Sequence, residues 1–89
     1  MELKCTSNVL SNLARLHEFL ATVDKRAATR IVQMLMVAPK KLFLNPRIGE
    51  KLEEFDPREV RRFLVGHYEM RYEIQQSKIY LLRLWHTRE

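Results

Sequence analysis

The stretch R-R-F-L-V-G-H-Y-E-M-R-Y-E-I, residues 61–74, decides the fold of this 89-residue chain. Apolar and polar residues alternate on both sides of Gly66-His67, and a Gly-X pair in that setting is typical of a two-residue type II′ hairpin. Such a turn fixes the register of the two strands. It sets Arg62 opposite Arg71, and these like charges repel unless a carboxylate from the chain or from a partner lies between them.

A third strand is predicted over residues 79–86, after a turn at residues 76–77. Strict alternation along this strand places apolar side chains on both of its faces. Ile79, Leu81 and Trp85 are expected on one face, and Leu82 and Leu84 on the other. A strand with two apolar faces requires cover on both sides of the sheet.

Upstream of the hairpin, the apolar residues follow helical spacing. The chain begins with a short strand and an amphipathic helix at about residues 7–23. Asp24 is a good N-cap for a second helix, because its carboxylate accepts from the free N–H groups of the first turn. Pro39 predicts a kink in the second helix or a new helical start, because its ring clashes with the preceding turn. A loop is expected over residues 46–57.

Together these elements predict an α+β fold in one domain, residues 1–89. A strand is followed by a two-helix hairpin and a three-stranded antiparallel meander, with the helices packed on one face of the sheet. Two helices cannot cover both faces, so an apolar and basic face is left to bind a partner. The predicted binding residues are Arg62, Leu64, Arg71, Leu82, Arg83 and Leu84. Two alternatives stay open: the loop 45–56 folds back across that face, or the chain dimerises through it.

The composition favours an acidic partner. The chain has 16 Lys and Arg against 11 Asp and Glu, a net charge of +5, and 46% hydrophobic residues, which indicates a folded domain rather than a basic tail. Cys5 is the single cysteine, so no internal disulfide forms, and the chain lacks a secretory signal and a membrane span. We therefore expect a cytoplasmic protein.

The spacing of the potential ligand and nucleophile residues excludes several kinds of site. The three histidines are far apart in sequence, so no metal site is predicted, and the two glycines cannot build a phosphate-binding loop, so no cofactor is expected. Metal-free RNA cleavage needs only a base, an acid and cations that stabilise the charged phosphate. The residues available for it are Arg62, Arg71, Arg83, His86 and Arg88.

Four short motifs carry a family resemblance. They are L-x-x-L-x-x-F-L at 13–20, N-P-R-I-G at 45–49, Y-x-M-x-Y-x-I at 68–74 and L-R-L-W-H-T-R-E at 82–89. With the order of the elements, they make the chain resemble the ParE/RelE superfamily of bacterial toxins, over nearly its whole length. The resemblance implies the toxin of a type II toxin–antitoxin pair, with a cognate antitoxin as partner.

The two branches of that superfamily imply different targets. ParE-like toxins poison DNA gyrase without being nucleases, whereas RelE-like toxins cut messenger RNA on the ribosome. The cutting branch typically has an arginine just after the hairpin turn, where this chain has Glu69, and a tyrosine beyond Glu89. The resemblance is therefore closer to ParE, with the basic sheet as the expected contact region for gyrase. The alternatives are a RelE-like nuclease that uses Arg62, Arg71, His86 and Arg88, and a small basic DNA-binding module.

Overall fold

The computed structural model describes residues 2–87. Its helices and strands are β1 Glu2–Cys5, α1 Ser7–Ala21, α2 Lys25–Val37, β2 Glu50–Lys51, β3 Glu59–Val65, β4 Tyr68–Gln75 and β5 Lys78–His86. The strands form one sheet in the order β1-β5-β4-β3-β2, in which β1 runs parallel to β5 and the other pairs are antiparallel. The predicted α+β fold, with the helices against the sheet, is confirmed.

Both helices begin at capping side chains. Thr6 Oγ1 accepts from the Val9 N–H at 3.4 Å and donates to the Leu81 carbonyl at 2.6 Å, which ties the start of α1 to β5. Asp24 Oδ1 accepts from the N–H groups of the first turn of α2, as predicted. Pro39 follows the end of α2, and the chain continues as a 3₁₀ helix, Ala38–Phe43, so the predicted change at this proline is confirmed.

The central hairpin has the predicted register. Val65 pairs with Tyr68 and Arg62 with Arg71, and Gly66 has a φ of 60°, as a type II′ turn requires. Because side chains alternate along a strand, Phe63 and Met70 face the helices while Arg62 and Arg71 face away from them.

One strand was not predicted. Residues Glu50–Lys51 pair with Arg62 and Arg61 as β2, within the segment that the sequence indicates as a loop. Two residues carry no alternation, so a strand this short leaves no periodic signal. The loop also contains a 3₁₀ turn, Glu53–Phe55.

A bulge in β5 overturns the predicted placement of two residues. Leu81 pairs with Tyr72 and Arg83 with Arg71, so Leu82 is an extra residue in β5, and the alternation shifts by one beyond it. Leu84 therefore faces the helices and is 4% exposed, in contact with the cluster that contains Leu35. The prediction that Leu84 lies on the uncovered face is wrong, and so is the prediction that Trp85 lies on the same face as Ile79 and Leu81.

The core lies between the helices and the sheet in two clusters. Val9, Leu42, Tyr72, Ile74, Ile79 and Leu81 form one. Leu35, Tyr68, Met70 and Leu84 form the other. Phe63 and Leu13 pack against both clusters and join them. The hydrophobic contacts therefore fix the helix hairpin on one face and leave the opposite face of the sheet to polar contacts.

Candidate interaction surface on the outer face of the sheet

The outer face is the side of the sheet that points away from the helices, and it carries Arg62, Leu64, Glu69, Arg71, Arg83 and Trp85. Three arginines form a row across adjacent strands, because Arg62 pairs with Arg71 and Arg71 pairs with Arg83. Side chains directly opposite each other lie about 5 Å apart, so this row concentrates positive charge.

Glu69 is the carboxylate that the hairpin register requires. It is 7% exposed, and its carboxylate oxygens lie 3.4 Å from Arg62 Nη1 and 3.5 Å from Arg71 Nε. Arg62 is also paired with Glu50 at 2.8 Å. None of the ion pairs within residues 2–87 involves Arg83. The compensating charge is therefore concentrated at the β2 end of the row and is lacking at its β5 end.

The Arg71–Glu69 contact is an ion pair without a hydrogen bond. Among the described residues, Arg71 Nε and Glu69 Oε2 are buried side-chain atoms that have no hydrogen-bond partner. A buried polar atom in this state costs free energy, because it has lost its water without gaining a partner. The centre of the row therefore retains unused hydrogen-bonding capacity.

Aromatic rings hold two of the three arginines of the row in place. The Arg71 guanidinium carbon lies 4.8 Å from the ring centre of Trp85 and 5.8 Å from that of Phe55. Arg83 lies 5.8 Å from the same tryptophan ring. Cation–π contacts of this kind restrict the guanidinium groups before any partner binds.

The mid-chain loop covers part of the outer face. Phe55 reaches Arg71, and Val60, which points to this face, is 1% exposed. Beside it, Arg58 Nη2 donates to Glu73 Oε1 at 2.7 Å, and Glu73 is 4% exposed. The alternative in which the loop folds back therefore holds for the β3 side of the face, while Leu64 and Arg83 stay accessible and Leu82, in the bulge of β5, is half-buried.

The ion pair of Glu73 predicts an acid dependence of stability. Hydrogen bonds from Arg58 hold the pKa of the Glu73 carboxyl below its ordinary value of 4.5, although burial acts in the opposite direction. A lowered pKa contributes stability that is present above pH 4.5 and is lost as the pH falls through the folded-state value. We expect Arg58→Ala to reduce the difference between the free energies of unfolding at pH 7 and pH 3.

Urea unfolding at the two pH values measures that difference. Lys4→Ala is the matched control, because its partner Glu2 is exposed and the pair lies on β1, two strands away from Glu73 on β4. An Arg58→Ala variant with the pH dependence of the wild type would contradict this account of Glu73.

The motif N-P-R-I-G is anchored by a buried tyrosine that the sequence did not mark for this role. Tyr72 Oη donates to the Pro46 carbonyl at 2.8 Å and accepts from the Gly49 N–H at 3.0 Å. Arg61 Nη1 donates to the Gly49 carbonyl at 2.7 Å. Burial raises the pKa of Tyr72, so its hydroxyl keeps its proton and remains a donor over the physiological range.

The residues considered for RNA cleavage are not all brought together. Arg62 and Arg71 lie on the outer face with Glu69 between them, whereas His86 pairs with Tyr68 and packs edge-to-face on that buried ring, on the helix side. Arg88 lies outside the described residues. The sheet thus separates His86 from Arg62 and Arg71, whereas Arg83 and His86 line the same cavity at the β5 edge beside α1.

Two further properties concern the described part of the chain. Within residues 2–87, no three His, Cys, Asp or Glu side chains come together in a way that could hold a metal ion. No helix in the same range is long and apolar enough to cross a membrane.

Comparison with known proteins identifies the family. Residues 3–89 match the family described as "ParE toxin of type II toxin-antitoxin system, parDE". The chain therefore belongs to the ParE toxin family. Among solved structures, a chain from the chromosomal ParDE toxin–antitoxin system of P. aeruginosa has the same fold, with a TM-score of 0.82 and 19% sequence identity over 97% of this chain and 95% of that chain. No curated protein matches the sequence.

Proposed function

We propose that this chain is the toxin of a type II toxin–antitoxin system, that it inhibits DNA gyrase, and that a cognate antitoxin neutralises it. Membership of the ParE family is the observation that carries this proposal. The separation of His86 from Arg62 and Arg71, together with the carboxylate of Glu69 beside Arg71, favours a toxin that acts by binding over one that cleaves RNA.

The outer face supports binding of the antitoxin. Leu64 is 64% exposed, Leu82 is half-buried, and Arg83 has no carboxylate partner within residues 2–87. Trp and Arg are the residues most enriched in the energetic centres of protein interfaces. An amphipathic segment with acidic residues would gain both apolar contact with the leucines and charge complementarity with the row.

Gyrase inhibition is tested directly with purified toxin. We expect the protein to block supercoiling of relaxed plasmid or to trap gyrase on cleaved DNA. Supercoiling that is unaffected at saturating toxin would overturn the gyrase proposal. Codon-linked cuts in translated messages, mapped by primer extension, would instead show a RelE-like activity.

Charge reversal tests the antitoxin site. Because Arg83 is exposed and has no carboxylate partner within residues 2–87, Arg83→Glu should leave the fold intact and weaken the toxin–antitoxin complex about tenfold or more, which corresponds to about 1.4 kcal/mol. Arg26→Glu, at an exposed arginine of α2, is the matched control and should leave the affinity unchanged. Calorimetric titration of antitoxin into each variant measures the effect. Equal affinities would exclude the outer face as the antitoxin site.

A further inference from the structure

The positive charge of the chain is concentrated away from the outer face. Residues 25–49 contain no Asp or Glu and six Lys or Arg, so the remaining 64 residues carry a formal net charge of −1, because the whole chain carries +5. The sheet from residue 59 to residue 87 has five cations and three carboxylates. The segment formed by α2, the 3₁₀ helix and the start of the mid-chain loop thus carries most of the excess positive charge of the chain, although Arg47 is paired with Glu59.

This cationic segment ends in exposed apolar side chains. Phe43 is 45% exposed, Leu44 is 93% exposed and Ile48 is 58% exposed. We name these three residues the apolar knob. Lys40 and Lys41 precede the knob directly, and both are exposed. Singly exposed apolar side chains are ordinary on protein surfaces, but three of them within residues 43–48, beside two lysines, offer a partner apolar contact and positive charge together.

Backbone hydrogen bonds hold the knob in two successive turns. The N–H groups of Leu44 and Asn45 donate to the Lys41 carbonyl at 3.2 and 3.3 Å, and the Ile48 N–H donates to the Asn45 carbonyl at 3.2 Å. Leu44 and Ile48 therefore lie one turn apart on a compact loop, next to the lysines.

The loop is also anchored to the core. Tyr72 Oη binds the backbone of Pro46 and Gly49, which flank Ile48, and Leu42, directly before Phe43, is fully buried. A loop fixed at both ends loses little conformational freedom when it binds, so most of its contact energy is available for affinity. The apolar knob is accordingly a preformed surface, although it points into solvent.

We propose that the apolar knob, together with Lys40 and Lys41, is the surface that contacts the target of the toxin, and that it inserts into an apolar pocket with an acidic rim on a target protein. The inference rests on the proposed function in that it requires the chain to be a toxin. In this proposal the toxin binds its target and its antitoxin through two different surfaces. The knob and the two lysines bind the target, and the outer face binds the antitoxin. A nucleic acid is a poorer match, because phosphate binding uses the lysines but gains nothing from Leu44.

A pair of matched leucine variants tests this inference. Leu44→Ser should retain the wild-type melting temperature and antitoxin affinity, but reduce toxicity in induced cells and gyrase inhibition at least about tenfold. Leu64→Ser on the outer face should show the reverse, with toxicity retained and antitoxin affinity reduced. Lys40→Glu combined with Lys41→Glu should reproduce the loss of toxicity. A Leu44→Ser variant that arrests growth at the wild-type dose would overturn the inference.

The readouts separate this inference from the gyrase proposal. If the wild type arrests growth without inhibiting gyrase, the gyrase proposal fails, and the toxicity of Leu44→Ser still decides the role of the knob. The same variant tests whether the partner of the knob is a protein. If the wild type binds bare duplex DNA or anionic phosphatidylglycerol vesicles, and Leu44→Ser loses both this binding and toxicity, the inference of a protein pocket is overturned.

Discussion

Gly49→Ala is expected to destabilise the protein by about 3–4 kcal/mol, as the sum of overpacking and the loss of buried hydrogen bonds. A Cβ atom at this position would lie 2.5 Å from the Arg62 carbonyl oxygen and 2.6 Å from Tyr72 Oη. One of these atoms is backbone of β3 and the other belongs to a fully buried ring, so neither can move aside easily. Residues 45–49 must then separate from the sheet, and Tyr72 loses its partners.

Urea unfolding with a matched glycine control measures this effect. Gly66→Ala adds the same methyl group without a clash, because the nearest atom would be Met34 Cε at 3.9 Å, an ordinary van der Waals distance. Only the positive φ of residue 66 then opposes alanine, at a cost of about 1–2 kcal/mol. Tyr72→Phe should cost about 1–3 kcal/mol, because it leaves the Gly49 N–H and the Pro46 carbonyl without their partner. A Gly49→Ala protein with the wild-type midpoint would show that the loop is not held as described.

The second large effect is expected at Leu84. Leu84→Ala should destabilise the protein by about 2–5 kcal/mol, the range for truncation of a buried leucine. Leu84 is 4% exposed and packs with Leu35, Tyr68 and Met70 below the helices. Leu64→Ala should change stability by less than about 0.5 kcal/mol, because this leucine is 64% exposed on the outer face.

These two leucines distinguish the bulged strand from a regular one. A regular β5 would place Leu84 on the outer face, where its truncation would cost about as little as that of Leu64. Thermal or urea unfolding of both variants therefore reports on the bulge directly. Similar small effects for the two variants would contradict the packing of Leu84 against the helix hairpin.

Local signals in the sequence were sufficient for most of the fold. The Gly66-His67 turn defines the register of β3 and β4, because a two-residue hairpin permits only one pairing. Asp24 marks the start of α2, and Pro39 marks its end, each through a hydrogen bond or a clash within one turn of chain. The requirement for a carboxylate between Arg62 and Arg71 follows from the same register, and Glu69 meets it.

The features that sequence reasoning missed depend on contacts between distant residues. The bulge at Leu82 places Leu84 below helices that lie more than forty residues earlier in the chain, and alternation within β5 carries no sign of it. The anchoring of Gly49 by Tyr72 joins residues that are 23 positions apart. The acid-free segment 25–49 is a different case, because its charge is visible in the sequence and depends on no contact between distant residues.

Strand β1 ends opposite Leu81, so the rest of the β5 edge has no neighbouring strand within residues 2–87. At that edge the Asn12 side chain accepts from the Leu84 N–H at 3.0 Å and takes the place of a strand. Exposed strand edges promote self-association, because they present unpaired amides to other copies of the chain. One carboxamide of α1 thereby occupies a backbone amide at this edge that another chain could otherwise pair with.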